Sequence, residues 1–139
     1  MKWGRSQKYQ NRDRHIYALL FSNGCVYVGQ TVNLKDREQQ HRRSGGWKQS
    51  FTFHSLDTVH GTQAQAEDYE FAWRNVANRA GHTIYGLAPN IVVSATKKMT
   101  FERQNIARGK VWPLKKRWKP WPWATAASVA LPLLWWIAQ

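Results

Sequence analysis

His15-Ile-Tyr-Ala-Leu-Leu-Phe21, Ser22-Asn23-Gly24 and Cys25-Val-Tyr-Val-Gly29 follow one another without a break, and their reading decides the fold. The first and third stretches are apolar, aromatic and β-branched, as strands prefer. The middle one is a turn whose glycine is free to adopt positive φ. Two short strands around an Asn-Gly read as a β-hairpin.

Working outward, residues 1–14 are basic and polar and read as a solvated arm with no secretory leader in it. After the hairpin, Thr31 is placed to cap a helix over roughly 32–43 whose apolar content is Val32 and Leu34 alone. A short helix that polar is expected to face a ligand rather than a core. Ser44-Gly45-Gly46 ends it. Phe51 to Val59 alternates as a third strand, with Phe51, Phe53 and Ser55 on one face. His60-Gly61-Thr62 punctuates, and apolar residues from Ala64 to Ala77 recur at helical steps, with Gly81 as the C-terminal stop. Ile91 to Ser94 reads as a short buried extended segment and residues 95–111 as a basic helix. The expected fold is α+β: a small three-stranded antiparallel sheet flanked by helices, followed by a basic, Trp-rich C-terminal extension. The boundaries predicted are 1–14 for the arm, 15–94 for a central module and 95–139 for the extension.

Composition narrows the function. With 139 residues the chain has room for one ordinary domain. Its 21 Lys and Arg against 8 Asp and Glu leave a formal charge of +13, which favours a polyanionic partner. After Glu70 the only acid is Glu102. The single cysteine, Cys25, excludes an internal disulfide framework and a cysteine-rich zinc site; it reads as a small buried strand residue. His54, His60 and His82 lack metal-ligand spacing and read as structural.

The hairpin also carries chemistry. Tyr17 and Tyr27 lie ten apart on its two strands, with Val28-Gly29 after the second. Arg37 lies ten past Tyr27, and His41 one helical turn beyond Arg37. Glu70 sits in the second helix, with Glu67 the other carboxylate at hand, and Asn90 follows Pro89 in a loop. Asn78 is the rival asparagine, but a loop can point inward more easily than that helix position. Hydrolysis of a phosphodiester needs cations and a proton acceptor. One carboxylate suits a hard divalent cation that keeps most of its waters. The Arg37 fork matches two phosphate oxygens, and the phenols and imidazole can hold or deprotonate a water. Gly29 would let backbone approach a bulky ligand. Taken singly these residues have plainer readings: cross-strand tyrosines, a solvated helix face, a Glu70–Arg74 pair at i,i+4.

In order and spacing the set resembles the GIY-YIG nuclease family over residues 14–92, with His15-Ile16-Tyr17 and Tyr27-Val28-Gly29 standing for its two motifs. His15 replaces the first family glycine, and Gln30 stands where many relatives carry Lys. The resemblance implies a metal-dependent endonuclease that hydrolyses DNA. It implies Glu70 as ligand of Mg²⁺ or another divalent cation such as Mn²⁺, and Arg37 on the phosphate. Tyr17, Tyr27 and His41 would surround the attacking water, and Asn90 would steady the site.

Gly29, Gln30, Lys97, Lys98, Arg103, Lys115, Lys116 and Arg117 are the expected substrate contacts. Trp112, Trp118, Trp121 and Trp123, interleaved with the C-terminal cations, could stack on unpaired bases. The uncharged stretch 120–139 is broken by Pro122 and Pro132. Trp123 to Trp135 would span about 16 Å as a helix, about half a bilayer core. Docking on the module or on a second copy in a homodimer is therefore expected ahead of a membrane. The rival functions are a non-catalytic nucleic-acid-binding module on the same scaffold and, third, a membrane-associated basic protein. The expected location is the cytoplasm or the nucleoid.

Overall fold

The strands flanking Ser22-Asn23-Gly24 pair as the sequence predicts. β1 (Arg12–Phe21) runs antiparallel to β2 (Val26–Thr31), with Tyr17 opposite Gly29 and Leu19 opposite Tyr27. The Gly24 amide donates to the Phe21 carbonyl at 3.0 Å with Gly24 at φ 86°, closing a tight loop. The computed structural model describes residues 7–86 and 89–114. Within them the chain continues through α1 (Leu34–Ser44), β3 (Phe51–Gly61), α2 (Gln63–Arg79), β4 (Ile84–Tyr85) and α3 (Phe101–Arg108). The architecture is α+β, with a four-stranded mixed sheet in the order β3-β1-β2-β4. No helix among the described residues is long and apolar enough to cross a membrane.

The sheet therefore has one strand more than the three expected. β4 is two residues long and pairs in parallel with β2, Val26 to Ile84 and Tyr27 to Tyr85. Tyr85 is also bridged to Val92, but Ile91 and Val92 are exposed, so the segment 91–94 is not the buried strand it reads as. The arm is shorter than expected, because Arg12 to Arg14 already belong to β1 and Arg14 is buried.

Alternation on β1 divides the interior in two. Ile16, Ala18 and Leu20 join Val26 and Val28 under α2, whose buried stripe is Ala66, Ala72, Trp73, Val76 and Ala77. Tyr17, Leu19, Phe21, Tyr27 and Tyr85 form a second, aromatic cluster on the other face. β3 serves both. Its register shifts between Ile16 and Tyr17, where Asp57 and then Ser55 stand opposite, leaving Leu56 as the extra residue of a bulge. Phe51 and Phe53 thus pack on the aromatic cluster, whereas Leu56 and Val59 pack under α2.

The caps are local. α2 begins in a full capping box, Thr62 accepting from the Gln65 amide and the Gln65 side chain returning to the Thr62 amide. α1 is capped by Asn33, which accepts from the Asp36 amide, and not by Thr31. Thr31 ends β2, and its hydroxyl bonds Asn33 backbone atoms at 3.1 Å.

The basic helix is confined to α3, and residues 95–114 are packed onto the body rather than appended to it. Ala107 is buried in the cluster under α2, and Arg79 donates to the Ala107 carbonyl at 2.8 Å. Lys110 pairs with Asp57 at 2.9 Å. Trp112 donates its indole N–H to His82 at 3.0 Å and packs beside Trp73. It is packed against the core, not the free stacking platform the sequence suggests. Lys115, Lys116, Arg117, Trp118, Trp121, Trp123 and the stretch 120–139 lie outside the described residues.

Candidate active site

α1 buries none of its residues, yet Leu34, Arg37, Glu38 and His41 form a half-buried stripe at helical spacing. That stripe faces the aromatic cluster. His41 Nε2 lies 2.7 Å from the Tyr17 hydroxyl, and the Trp47 indole N–H donates to His41 Nδ1 at 3.1 Å. An indole nitrogen can only donate, so Nδ1 is the acceptor and the neutral ring carries its proton on Nε2. His41 Nε2–H therefore donates to Tyr17. Burial first, and the Arg37 charge second, lower the His41 pKa to about 4, which keeps the ring neutral.

The Tyr17 O–H in turn faces the Tyr27 phenol, an interaction that works to raise the Tyr17 pKa and to lower that of Tyr27. Burial dominates both and holds both phenols un-ionised. Tyr17 is 0% exposed and stacks on Phe53 with centroids 4.9 Å apart, so it cannot touch a substrate itself. Donors thus run in one direction, Trp47 to His41 to Tyr17, and the Tyr17 hydrogen is left for the neighbouring Tyr27. With both ring nitrogens engaged, His41 orients Tyr17 in this arrangement.

Two glycines make the cluster possible. A Cβ on Gly29 would stand 2.6 Å from the Tyr17 oxygen and 2.9 Å from the Tyr27 ring. Gly29 thus makes room for its own two tyrosines. A Cβ on Gly45 would stand 2.7 Å from Trp47 Cδ1, which is how the indole folds back under α1. Sequence reasoning missed Trp47. The Gly-Gly-Trp sequence directly after a helix with an inward His is the signal that could have found it.

Glu70 lies on the apolar stripe of α2, between buried Ala66 and buried Trp73, with its side chain 13% exposed. Arg74 Nη2 donates to Oε1 at 2.7 Å and Gln30 Nε2 to Oε2 at 3.3 Å. Burial raises the Glu70 pKa; the Arg74 charge, followed by the Gln30 hydrogen bond, works against it. The Glu70 charge reaches both phenols and contributes to raising their pKa values. Glu67, the alternative carboxylate, is exposed. Arg37 has no carboxylate partner among the described residues. Arg74 reads in sequence only as a pairing partner, yet its buried Nε has no hydrogen-bond partner among the described residues.

The donor set fits a cation held by one carboxylate. Glu70 is the one acid here, and the described residues include no group of three His, Cys, Asp or Glu able to hold a metal. Such a site suits an ion that keeps its waters, as Mg²⁺ does.

The remaining predicted residues scatter. Asn90, in the left-handed region at φ 64°, accepts from the Lys48 amide at 3.3 Å and donates to the Gly46 carbonyl at 3.2 Å. It therefore clasps the backbone on either side of Trp47. Asn78 is exposed and bonds the His82 carbonyl at 3.2 Å. Lys97 and Lys98 are exposed. Arg103 is 14% exposed, bound to Asp68 at 2.8 Å and stacked over Phe71, so its guanidinium is already engaged. Cys25 is half-buried just before β2 and His82 is fully buried. No protein-family model matches the chain, and no match is found among curated proteins or solved structures.

Proposed function

We propose that the chain is a metal-dependent endonuclease of the GIY-YIG type, hydrolysing phosphodiester bonds of DNA. The observation that carries the reading is the gathering of His41, Arg37 and Glu70 about the Tyr17–Tyr27 pair that Gly29 admits. Arg37, uncompensated by an acid, offers its fork to the phosphate. Tyr27 receives the Tyr17 hydrogen, so its own O–H is left to aim at a phosphate oxygen or the attacking water. Trp47, His41 and Tyr17 set that aim and are positioning residues. Asn90 holds the Trp47 loop in place. Glu70 would hold Mg²⁺ or Mn²⁺, and the ion when bound supplies Lewis-acid stabilisation of developing phosphate charge.

A second reading, a non-catalytic nucleic-acid-binding module, draws on the 2.7 Å Arg74–Glu70 pair, which already supplies a cation to that carboxylate. One experiment separates the two. Purified protein with labelled single-stranded, duplex and branched DNA should cut with Mg²⁺ and not with chelator. Glu70→Gln should lower cleavage about a hundredfold, equivalent to about 3 kcal/mol of transition-state stabilisation, and leave binding intact. Binding without cleavage by the wild type in any divalent cation would favour the second reading.

A further inference from the structure

Beside the site, between the start of β1, the end of β2 and the first turns of α1 and α2, lies an open cleft of about 360 Å³. Lys8, Arg12, Arg14 and Arg37 line it, with the Gln30 and Gln63 amides, and no carboxylate does. None of the chain's eight acids lines the cleft, although Gln30 also bonds Glu70 behind it at 3.3 Å. Five of them are paired: Asp13 with His60, Glu38 with Arg42, Asp57 with Lys110, Asp68 with Arg103 and Glu70 with Arg74. Asp36 and Glu102 lie outside the cleft, and Glu67 borders a neighbouring hollow.

Arg14 is what makes this a built surface rather than a row of mobile side chains. It is buried, with Nε on the Gly61 carbonyl at 3.0 Å and Nη2 on the Gln7 carbonyl at 2.7 Å. Those partners are neutral, so its charge is held in place without being cancelled. Burial and the neighbouring Arg12 charge both work against that cation, a cost that a bound anion would relieve. Arg37 lines this cleft and also acts electrostatically on Tyr17, Tyr27 and His41. An anion in the cleft and a phosphate at the site would therefore share one guanidinium, which successive phosphates of one strand can do.

We propose that this cleft is a second phosphate site, gripping the nucleic-acid backbone next to the phosphate engaged at Arg37. The inference rests on the nucleic-acid reading above and adds where the flanking strand lies: toward the N-terminal arm, not toward Arg103 and α3. Free inorganic phosphate offers the same chemistry, and the test separates the two.

Binding of duplex DNA is measured without divalent cation as a function of salt, for wild type, Lys8→Gln/Arg12→Gln and Gln63→Glu. Gln63 is the exposed first residue of α2, where a carboxylate favours the helix, so that variant adds a negative charge to the cleft without removing packing. Both variants should weaken binding and lower the slope of log K against log salt by about 0.9 for each phosphate no longer neutralised. Cleavage at saturating DNA should stay within about twofold, by the same division between ground-state binding and chemistry. An unchanged slope in both variants, with the slope reduced in Arg37→Gln, would overturn the cleft. So would inorganic phosphate binding that the variants abolish while DNA binding stays as in wild type. A wild type that never cuts, yet shows a reduced slope in both variants, would leave the cleft standing and remove the nuclease.

Discussion

Among the described residues, two tryptophan–histidine pairs occur with opposite proton placement. Trp47 donates to His41 Nδ1, which puts the ring hydrogen on Nε2, against the Tyr17 hydroxyl. Trp112 donates to His82 Nε2, which puts the hydrogen on Nδ1, against the Gly24 carbonyl at 2.8 Å. In both, a donor-only indole fixes the tautomer. The difference lies in where the hydrogen goes next. A carbonyl can only accept, so the His82 pair is closed and holds the hairpin turn to the end of the described chain. A phenol accepts and donates again, so the His41 pair hands orientation on to Tyr17 and Tyr27. The same pairing of rings braces a core in one place and aims a hydroxyl in the other.

The largest effect should come from the end of the open pair. Tyr27→Phe removes the hydroxyl proposed to meet the water or phosphate, and kcat should fall by about 10² to 10⁴ with DNA affinity kept. A loss confined to affinity would mean the donors lead nowhere catalytic. Removing the indole itself tests the comparison from its other end. Trp47→Phe leaves His41 Nδ1 free, so both tautomers and the protonated ring become accessible, and kcat should fall about tenfold with KM little changed. The His41 ring ¹⁵N shifts should lose their fixed Nε2–H pattern. In wild type the folded pKa is depressed to about 4 from an unfolded value near 6.5. The unfolded chain therefore takes up the proton first, and stability drains as pH falls from about 6.5 to about 4. In Trp47→Phe that window should narrow and the acid limb of activity move upward. The smallest effect on chemistry should come from the closed pair. Trp112→Phe orphans the buried His82 Nε2 and should lower stability by about 1–3 kcal/mol, leaving kcat as it was. A fall in kcat with the melting point unmoved would erase the distinction between the pairs.

What is legible in the sequence is what local chemistry decides. The hairpin at Asn23-Gly24 and the Thr62 capping box each close within a few residues. Thr31 and Asn33 both offer a capping oxygen two residues apart, and the choice between them depends on where β2 lets go of β1. β4 is invisible there because Ile84 and Tyr85 carry no periodicity, and β2 makes them a strand. At the site, residues on one element can be placed by spacing, as with Arg37 and His41, or Glu70 and Arg74. Asn90 reaches the backbone on either side of Trp47 because Gly46, at φ 73°, turns the loop while Gly45 leaves room for the indole, which no spacing encodes. Trp112 looks in sequence like any of the basic-region tryptophans; only a buried His82 with a free acceptor distinguishes it.

The bulge at Leu56 bears on how this fold can vary over evolution. Because β3 changes sides there, its first half belongs to the aromatic layer and its second half to the layer under α2. Substitutions along the strand can be judged one side chain at a time. A change of length cannot. Losing one residue near Leu56 would close the bulge into an even ladder with Phe51 and Phe53 still opposite Phe21 and Leu19, whereas gaining one without a second bulge would carry both to the wrong face, taking the ring that stacks on Tyr17 with them. Related chains should therefore differ in the identity of residues between Phe51 and Val59 and can shed the bulge residue, with insertions accumulating in the loops on either side.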